Sequence, residues 1–243
     1  IGKVERKTGV KNNYEIQNIY INQEGEAGLF IATSNKGIEK IENIGITGNI
    51  NSSQSNAIGI CWGSSIVEKC WNGADVTSVG SAAGICKYFS TIKNCYNVGR
   101  IMTTGEYCTA GGITSEYGGT IEDCYNKGEV IGTYYTGGIA AGHGNLSTII
   151  TNCYNEGDVK GDSSVGGILG TNGESVKNCY NLGNIKSTGN SFVGGIIGKG
   201  TKEVNYCYNK GAVIGNYVGG VAAEVSNNSK LINSYNLGEV TGN

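Results

Sequence analysis

Val176-Lys177-Asn178-Cys179-Tyr180-Asn181-Leu182-Gly183-Asn184-Ile185 is one copy of the pattern [I/V]-x-x-C-[Y/W]-N-x-G-x-[I/V]. The pattern returns at Cys95, Cys124, Cys153 and Cys207. Looser copies flank these. Around Cys70 the tyrosine becomes Trp71 and the glycine moves forward to Gly73, and at the far end Ser234 takes the cysteine slot. Slots 70, 95, 124, 153, 179, 207 and 234 lie 25 to 29 residues apart. A period of that size belongs to stacked supersecondary units, each touching mainly its neighbours.

A second motif alternates with the first. It reads Gly111-Gly112-Ile113, Gly137-Gly138-Ile139, Gly166-Gly167-Ile168, Gly194-Gly195-Ile196 and Gly219-Gly220-Val221, with Ala83-Gly84-Ile85, Ile58-Gly59-Ile60 and Ala27-Gly28-Leu29 upstream. Each unit thus holds three short pieces: the G-G-I segment, the segment ending at C-Y-N, and the G-x-V segment. All three are rich in β-branched residues and bounded by Gly, Asn or Ser, as strands are. No stretch sustains a helical stripe, so helix content should be very low. Leucine-rich repeats need a Leu lattice that is absent, and propeller blades need a longer period. The expected architecture is all-β: a right-handed parallel β-helix of about eight coils, each strand bonding its counterpart in the next.

Stacking turns the motif into columns. Ile and Val at the slots of Val176, Ile185 and Ile196 should form the core. Cys70, Cys95, Cys124, Cys153, Cys179 and Cys207 share one slot, Cys61 and Cys86 another, and Cys108 stands apart. Coils about 4.8 Å apart bring such residues within disulfide range, yet buried cysteine also packs as a small apolar residue. Free, stacked thiols are expected, which leaves the redox compartment open. Asn72, Asn97, Asn126, Asn155, Asn181, Asn209 and Asn236 should lie where the chain turns, because asparagine tolerates the left-handed region. Their amides can also donate and accept along a column. Glycines such as Gly183 supply positive φ or close backbone approach. If the cysteines point inward, alternation turns Trp71, Tyr96, Tyr125, Tyr154, Tyr180, Tyr208 and Tyr235 outward as a ring stripe. The stripe could stack sugars or a partner, or simply stabilise coil stacking; inward tyrosines with outward cysteines stay open as the alternative.

Gly28-Leu29-Phe30, Gly37-Ile38 and Ile41-Glu42-Asn43-Ile44-Gly45-Ile46-Thr47-Gly48-Asn49-Ile50 resemble the GLUG-type repeat of bacterial surface proteins. The later N-C-Y-N-x-G-x-V units resemble its cysteine–tyrosine variant, so the resemblance covers most of the chain. It implies a β-helix scaffold in large surface-displayed or secreted bacterial proteins, some adhesin-like and some carrying peptidase domains elsewhere. It implies no catalytic residues within the repeat. Residues 27–243 form the repeat domain; residues 1–26 fit it poorly and read as an incomplete coil or cap, with one strand at Ile16-Gln17-Asn18-Ile19-Tyr20-Ile21. The last unit closes without a polar cap, which would leave an unpaired strand edge, so continuation beyond residue 243 is expected.

Several function classes are disfavoured. The formal charge of -2, without acidic or basic runs, gives no footprint for nucleic acid. No apolar run reaches the roughly 20 residues of a membrane span, so no membrane insertion is expected. His143, the only histidine, reads as a loop residue. The cysteine spacings do not suit zinc, and neither metal nor cofactor is expected. Gly194-Gly195-Ile196-Ile197-Gly198-Lys199-Gly200-Thr201 lacks the G-K-[S/T] order of a P-loop. Glu129, Asp158 and Glu239 share a slot that Asn184 and Ala212 interrupt, while Glu106, Glu116 and Asp162 occupy unrelated slots; no carboxylate pair is nominated. Outer slots Thr77, Met102, Ile131, Lys160, Lys186, Ile214 and Thr241 form no threonine ladder, which excludes an ice-binding face.

The function expected is a non-catalytic structural and adhesive segment, extracellular or on a bacterial cell surface. It would space or display neighbouring domains of the same chain and contact a host glycan or protein. Two alternatives stay open: a carbohydrate-active β-helix enzyme, and an accessory region of a surface peptidase.

Overall fold

The computed structural model describes residues 3–6, 14–31, 37–116, 118–142, 148–187 and 189–242. They contain strands and turns and no helix. The chain winds as a parallel β-solenoid of about eight turns whose walls are three sheets of 16, 7 and 8 strands. We call them the tyrosine, glycine and isoleucine sheets. Pairing is parallel throughout except at Lys3–Arg6, which runs antiparallel to Tyr14–Gln23. That long strand contains the one read at Ile16 to Ile21.

The core is made of columns in strict register. In the isoleucine sheet Ile41, Val67, Ile92, Ile121, Ile150, Val176, Val204 and Leu231 pair in succession. In the tyrosine sheet Ile50, Val76, Ile101, Val130, Val159, Ile185, Val213 and Val240 do the same. A third column from Ile60 through Ile85, Ile113, Ile139 and Ile168 to Ile196 is sealed from solvent. A fully buried Val or Ile contributes about 1.5–3 kcal/mol of transfer free energy, so each coil adds a similar increment.

The corners differ from the expectation. The residue in the left-handed region is the one before the cysteine slot, which Ile44 and Ser234 fill in the first and last units: Asn43, Lys69, Asn94, Asp123, Asn152, Asn178, Tyr206 and Asn233, with φ of 49 to 59°. The first asparagine of N-C-Y-N therefore makes the turn. The isoleucine-sheet strand accordingly stops before the cysteine, and Tyr-Asn opens the next sheet, as in Glu122, Asp123, Cys124 and Tyr125–Asn126. Asn181 and its equivalents point inward instead, each 0% exposed from Asn72 to Asn209. Gly183 serves close approach alone: an added Cβ would run into the carbonyl oxygen of Gly157 one coil back.

Trp71–Ser78 crosses the tyrosine sheet as one continuous strand. From the next coil onward the same face is split, as at Tyr180–Asn181 and Ile185–Ser187. The break falls at Gly99, Gly128, Gly157, Gly183 and Gly211, where Trp71–Ser78 carries Ala74.

Candidate functional site

The motif residues make three ladders. Each asparagine Nδ2 donates to the Oδ1 of the next coil at 2.7 Å, from Asn72 to Asn97 and so on to Asn236. The same Nδ2 donates to the carbonyl two residues on, Gly183 O at 2.7 Å for Asn181. A buried primary amide thus uses both donor protons and its acceptor, which removes the desolvation cost. The second glycine of each G-G pair lies against both this ladder and the next coil's backbone, with the carbonyl oxygens of Gly138, Gly195 and Gly220 about 2.2 Å from an added Cβ at Gly112, Gly167 and Gly195. A Cβ at Gly112, Gly167 or Gly195 would lie 2.5 Å from the Cγ of Asn126, Asn181 or Asn209.

The thiols form the second ladder. Cys70, Cys95, Cys124, Cys153 and Cys207 are 0% exposed and Cys179 is 1% exposed. The backbone N–H of Cys124 donates to Cys153 Sγ at 3.4 Å, and Cys124 Sγ–H donates to Glu122 O at 3.1 Å; other coils repeat the pattern. All nine cysteines are free. Burial and the adjacent thiols push Cys124 and Cys179 well up, which keeps them neutral and unreactive.

The rings form the third. With cysteine inward, tyrosine faces out, and Tyr96 through Tyr208 are half-buried. Rings 96, 125, 154, 180 and 208 lie parallel within 6°, with centroids 4.8 to 5.1 Å apart. A ring with parallel neighbours on both sides presents its edge and hydroxyl to solvent, and its faces to the ladder. That geometry suits coil stacking better than sugar stacking. Trp71 closes one end and is only 8% exposed. Its ring folds over Gly45, its register partner, in the space a side chain would fill. Tyr235 at the other end is 51% exposed. Burial raises the Tyr125 and Tyr154 phenols, so the edge is a row of hydroxyl donors.

A different cluster forms where the strands Cys61–Glu68 and Cys86–Lys93 of the isoleucine sheet begin. Lys87 is 4% exposed, and its ammonium sits 3.2 Å from Glu116 Oε1 and 4.4 Å over the Trp62 ring. Ser81 Oγ donates to Glu116 Oε1 at 2.9 Å, and Thr109 Oγ1 donates to Ser81 Oγ at 3.0 Å. Tyr88 stands edge-on to Trp62 at 5.9 Å, and its hydroxyl reaches Glu116 Oε2 at 3.5 Å. Nearby Glu26 has its carboxyl pushed up by burial, with Lys87 pulling it down and Glu116 pushing it up. Two acids around one lysine superficially suggest acid–base chemistry. The lysine is already committed to Glu116, however, and Glu116 already accepts bonds on both oxygens. The group is a closed polar clasp that pins an apolar patch of Ile58, Trp62 and Ala83.

The other sequence candidates are scattered. Glu129 pairs with Lys160 at 2.5 Å and Arg100 at 3.4 Å, and Asp158 accepts from the Asn184 N–H at 2.9 Å. Lys199, from the glycine-rich stretch, lies 4.7 Å over the Phe192 ring and 3.3 Å from Glu224, inside the strand Ile197–Asn205. His143 lies outside the described residues. Among those residues no group of three His, Cys, Asp or Glu is placed to hold a metal. The sequence reading missed Trp62, Ser81 and Lys87. The available signal was departure from the repeat: a tryptophan and a lysine directly after Cys61 and Cys86, beside slots otherwise filled regularly.

No protein-family model matches the chain, and no curated protein matches it. Among solved structures it is similar to a Bacteroides ovatus protein described as a "putative immunoglobulin A1 protease". The TM-score is 0.57 at 22% identity, over 71% of this chain and 60% of that one. The likeness is one of fold. The chain spans about three fifths of that protein's length.

Proposed function

We propose that the chain is a non-catalytic segment of a bacterial surface or secreted protein. It acts as a rigid rod that spaces or displays neighbouring domains and offers contact to a host glycan or protein. The observation carrying this reading is the coil-to-coil strand pairing along all three walls, with thiols and amides spent on holding coil to coil. Eight coils at about 4.8 Å give a rod on the order of 40 Å long. Many short strands bonded along one axis resist bending and unfold as a nearest-neighbour series. The GLUG-type motifs quoted above point the same way, although no family model supports that assignment.

The fold shared with the Bacteroides ovatus protein favours a second reading, an accessory region attached to a peptidase. The first reading is tested by incubating the full chain with a polysaccharide panel and with immunoglobulin A1. No turnover is expected. Turnover abolished by Glu116→Gln would overturn the scaffold reading and make the Lys87 clasp an active site.

A further inference from the structure

The rings of the ladder cover each other in parallel, but three tyrosines elsewhere are packed differently. Where the tyrosine sheet turns into the glycine sheet, Tyr107 stands edge-on to Tyr134, 5.6 Å apart at 77°. Tyr134 and Tyr135 tilt at 33° with centroids 4.0 Å apart, and their hydroxyls lie 3.1 Å apart. Tyr107 is 76% exposed. Its backbone sits at φ 56°, in the left-handed region that bulky residues avoid. The repeat's own corner residues in these coils are Asn94 and Asp123, so this strain is not part of the repeat. Strain held at a ring that packs little is the pattern of a ring kept for contact. The support beneath is firm: the Cys108 N–H donates to Thr133 Oγ1 at 3.1 Å, and the Tyr134 N–H donates to Cys108 O at 3.0 Å.

A groove begins beside this platform, at Thr133. It has a volume of about 320 Å³ and is lined by Ile131, Gly132, Gly161, Lys160, Asp162 and Lys186. That volume is at the lower end of small-ligand sites. Lys160 is held by Glu129. Lys186 and Asp162 have no ion pair or side-chain hydrogen bond among the described residues, so one donor and one acceptor face the groove unspent.

We infer that Tyr107, Tyr134 and the Lys186–Asp162 groove form a binding site for a neutral oligosaccharide. The exposed Tyr107 ring, braced by Tyr134, can meet the C–H face of a pyranose, and the adjacent ammonium and carboxylate match its hydroxyls. Glu129 holds Lys160, which leaves Lys186 and Asp162 as the groove's unpaired charges, one of each sign and so no cationic cluster for a polyanion. The inference rests on the proposed role as a glycan-contacting scaffold and gives that contact an address.

The test is an array of neutral and acidic oligosaccharides with the full chain, followed by saturation-transfer NMR on the strongest neutral binder. Tyr107→Gly is the deciding variant, because glycine adopts the left-handed backbone without strain. Binding should fall by about tenfold or more, a loss of about 1.4 kcal/mol, while the Tm holds or rises. Tyr180→Ala, on the ladder, should leave affinity unchanged. The inference is overturned by an absence of neutral binders at millimolar concentration, by binding of acidic glycans or unglycosylated protein alone, or by equal loss in both variants. Turnover of a glycan whose binding is lost in Tyr107→Gly would support the site while overturning the non-catalytic reading.

Discussion

At the corner lined by Asn155, Asn181 and Asn209 each coil repeats its neighbour, whereas at the corner holding Trp62, Lys87 and Glu116 no coil does. In the first, every amide finds its partner in an identical amide one coil away, at 2.7 Å each time. In the second, Ser81 and Lys87 of one coil meet Thr109 and Glu116 of the next, and no other coil repeats the set. Repetition satisfies buried polar groups with a short pattern and makes stability nearly additive along the axis. Singular residues satisfy one another only locally, and they are where an otherwise uniform surface acquires identity.

The sharpest way to break the repeated corner is Gly167→Val. Gly167 has no positive φ, so the substitution acts through space alone, forcing a side chain onto the Gly195 carbonyl oxygen at 2.2 Å and the Asn181 amide at 2.5 Å. We expect a loss of about 3 kcal/mol or more in chemical denaturation. A near-neutral result would mean that neither the Gly195 carbonyl nor the amide stands over that glycine.

Lys87→Met tests the singular corner. It leaves Glu116, whose side chain is 14% exposed, without its cation. The expected cost is about 2 kcal/mol, reduced from the full buried-pair range because of that exposure. Lys87→Met with Glu116→Leu should recover most of it. A double variant no better than the single would remove the ionic basis of the clasp.

Tyr180→Ala, on the outer face of the repeat, should cost only about 1 kcal/mol, as one stacked ring between two others. A larger loss would mean that the ring ladder carries weight here assigned to the amides.

The smallest effect is electrostatic. Bonding to Lys177 holds the Glu203 carboxyl below its ordinary value of 4.5, and Lys69 and Lys40 do the same for Glu68. A depressed carboxylate stabilises above 4.5 and loses that contribution as pH falls through its folded-state value. Glu26, raised by burial, acts in the opposite sense: its burden eases as pH falls through a window above 4.5. Calorimetry should show Tm level or slightly rising down to about 4.5 and declining below, with Glu203→Gln flattening the decline. A Tm falling steadily from neutral pH would contradict this assignment.

Much of the repeated half was legible in the sequence. A one-residue slot returning every 25 to 29 residues fixes a column, and inward Cys179 forces outward Tyr180 by alternation. The identity of the turning asparagine was not legible. Asn178 and Asn181 sit three apart in the same motif, and both residue types suit a left-handed turn; only register shows that one turns and the other stacks. Nor could spacing reveal that Gly167 and Asn181, each prominent in its own motif, are two sides of one contact. The singular half was hidden for a different reason. Lys87 and Glu116 lie 29 residues apart with no pattern linking them, and Tyr107 looks like any loop residue until its φ and exposure are known.

Counting reactive thiols in the native chain tests the column architecture most directly. Eight cysteines are buried and Cys108 is partly accessible, its thiol raised by burial, so labelling should be run in mildly alkaline buffer. One thiol should react in the folded protein and all nine after unfolding. Several ladder cysteines reacting in the folded protein, or fewer than nine after unfolding without reductant, would contradict a core of stacked free thiols.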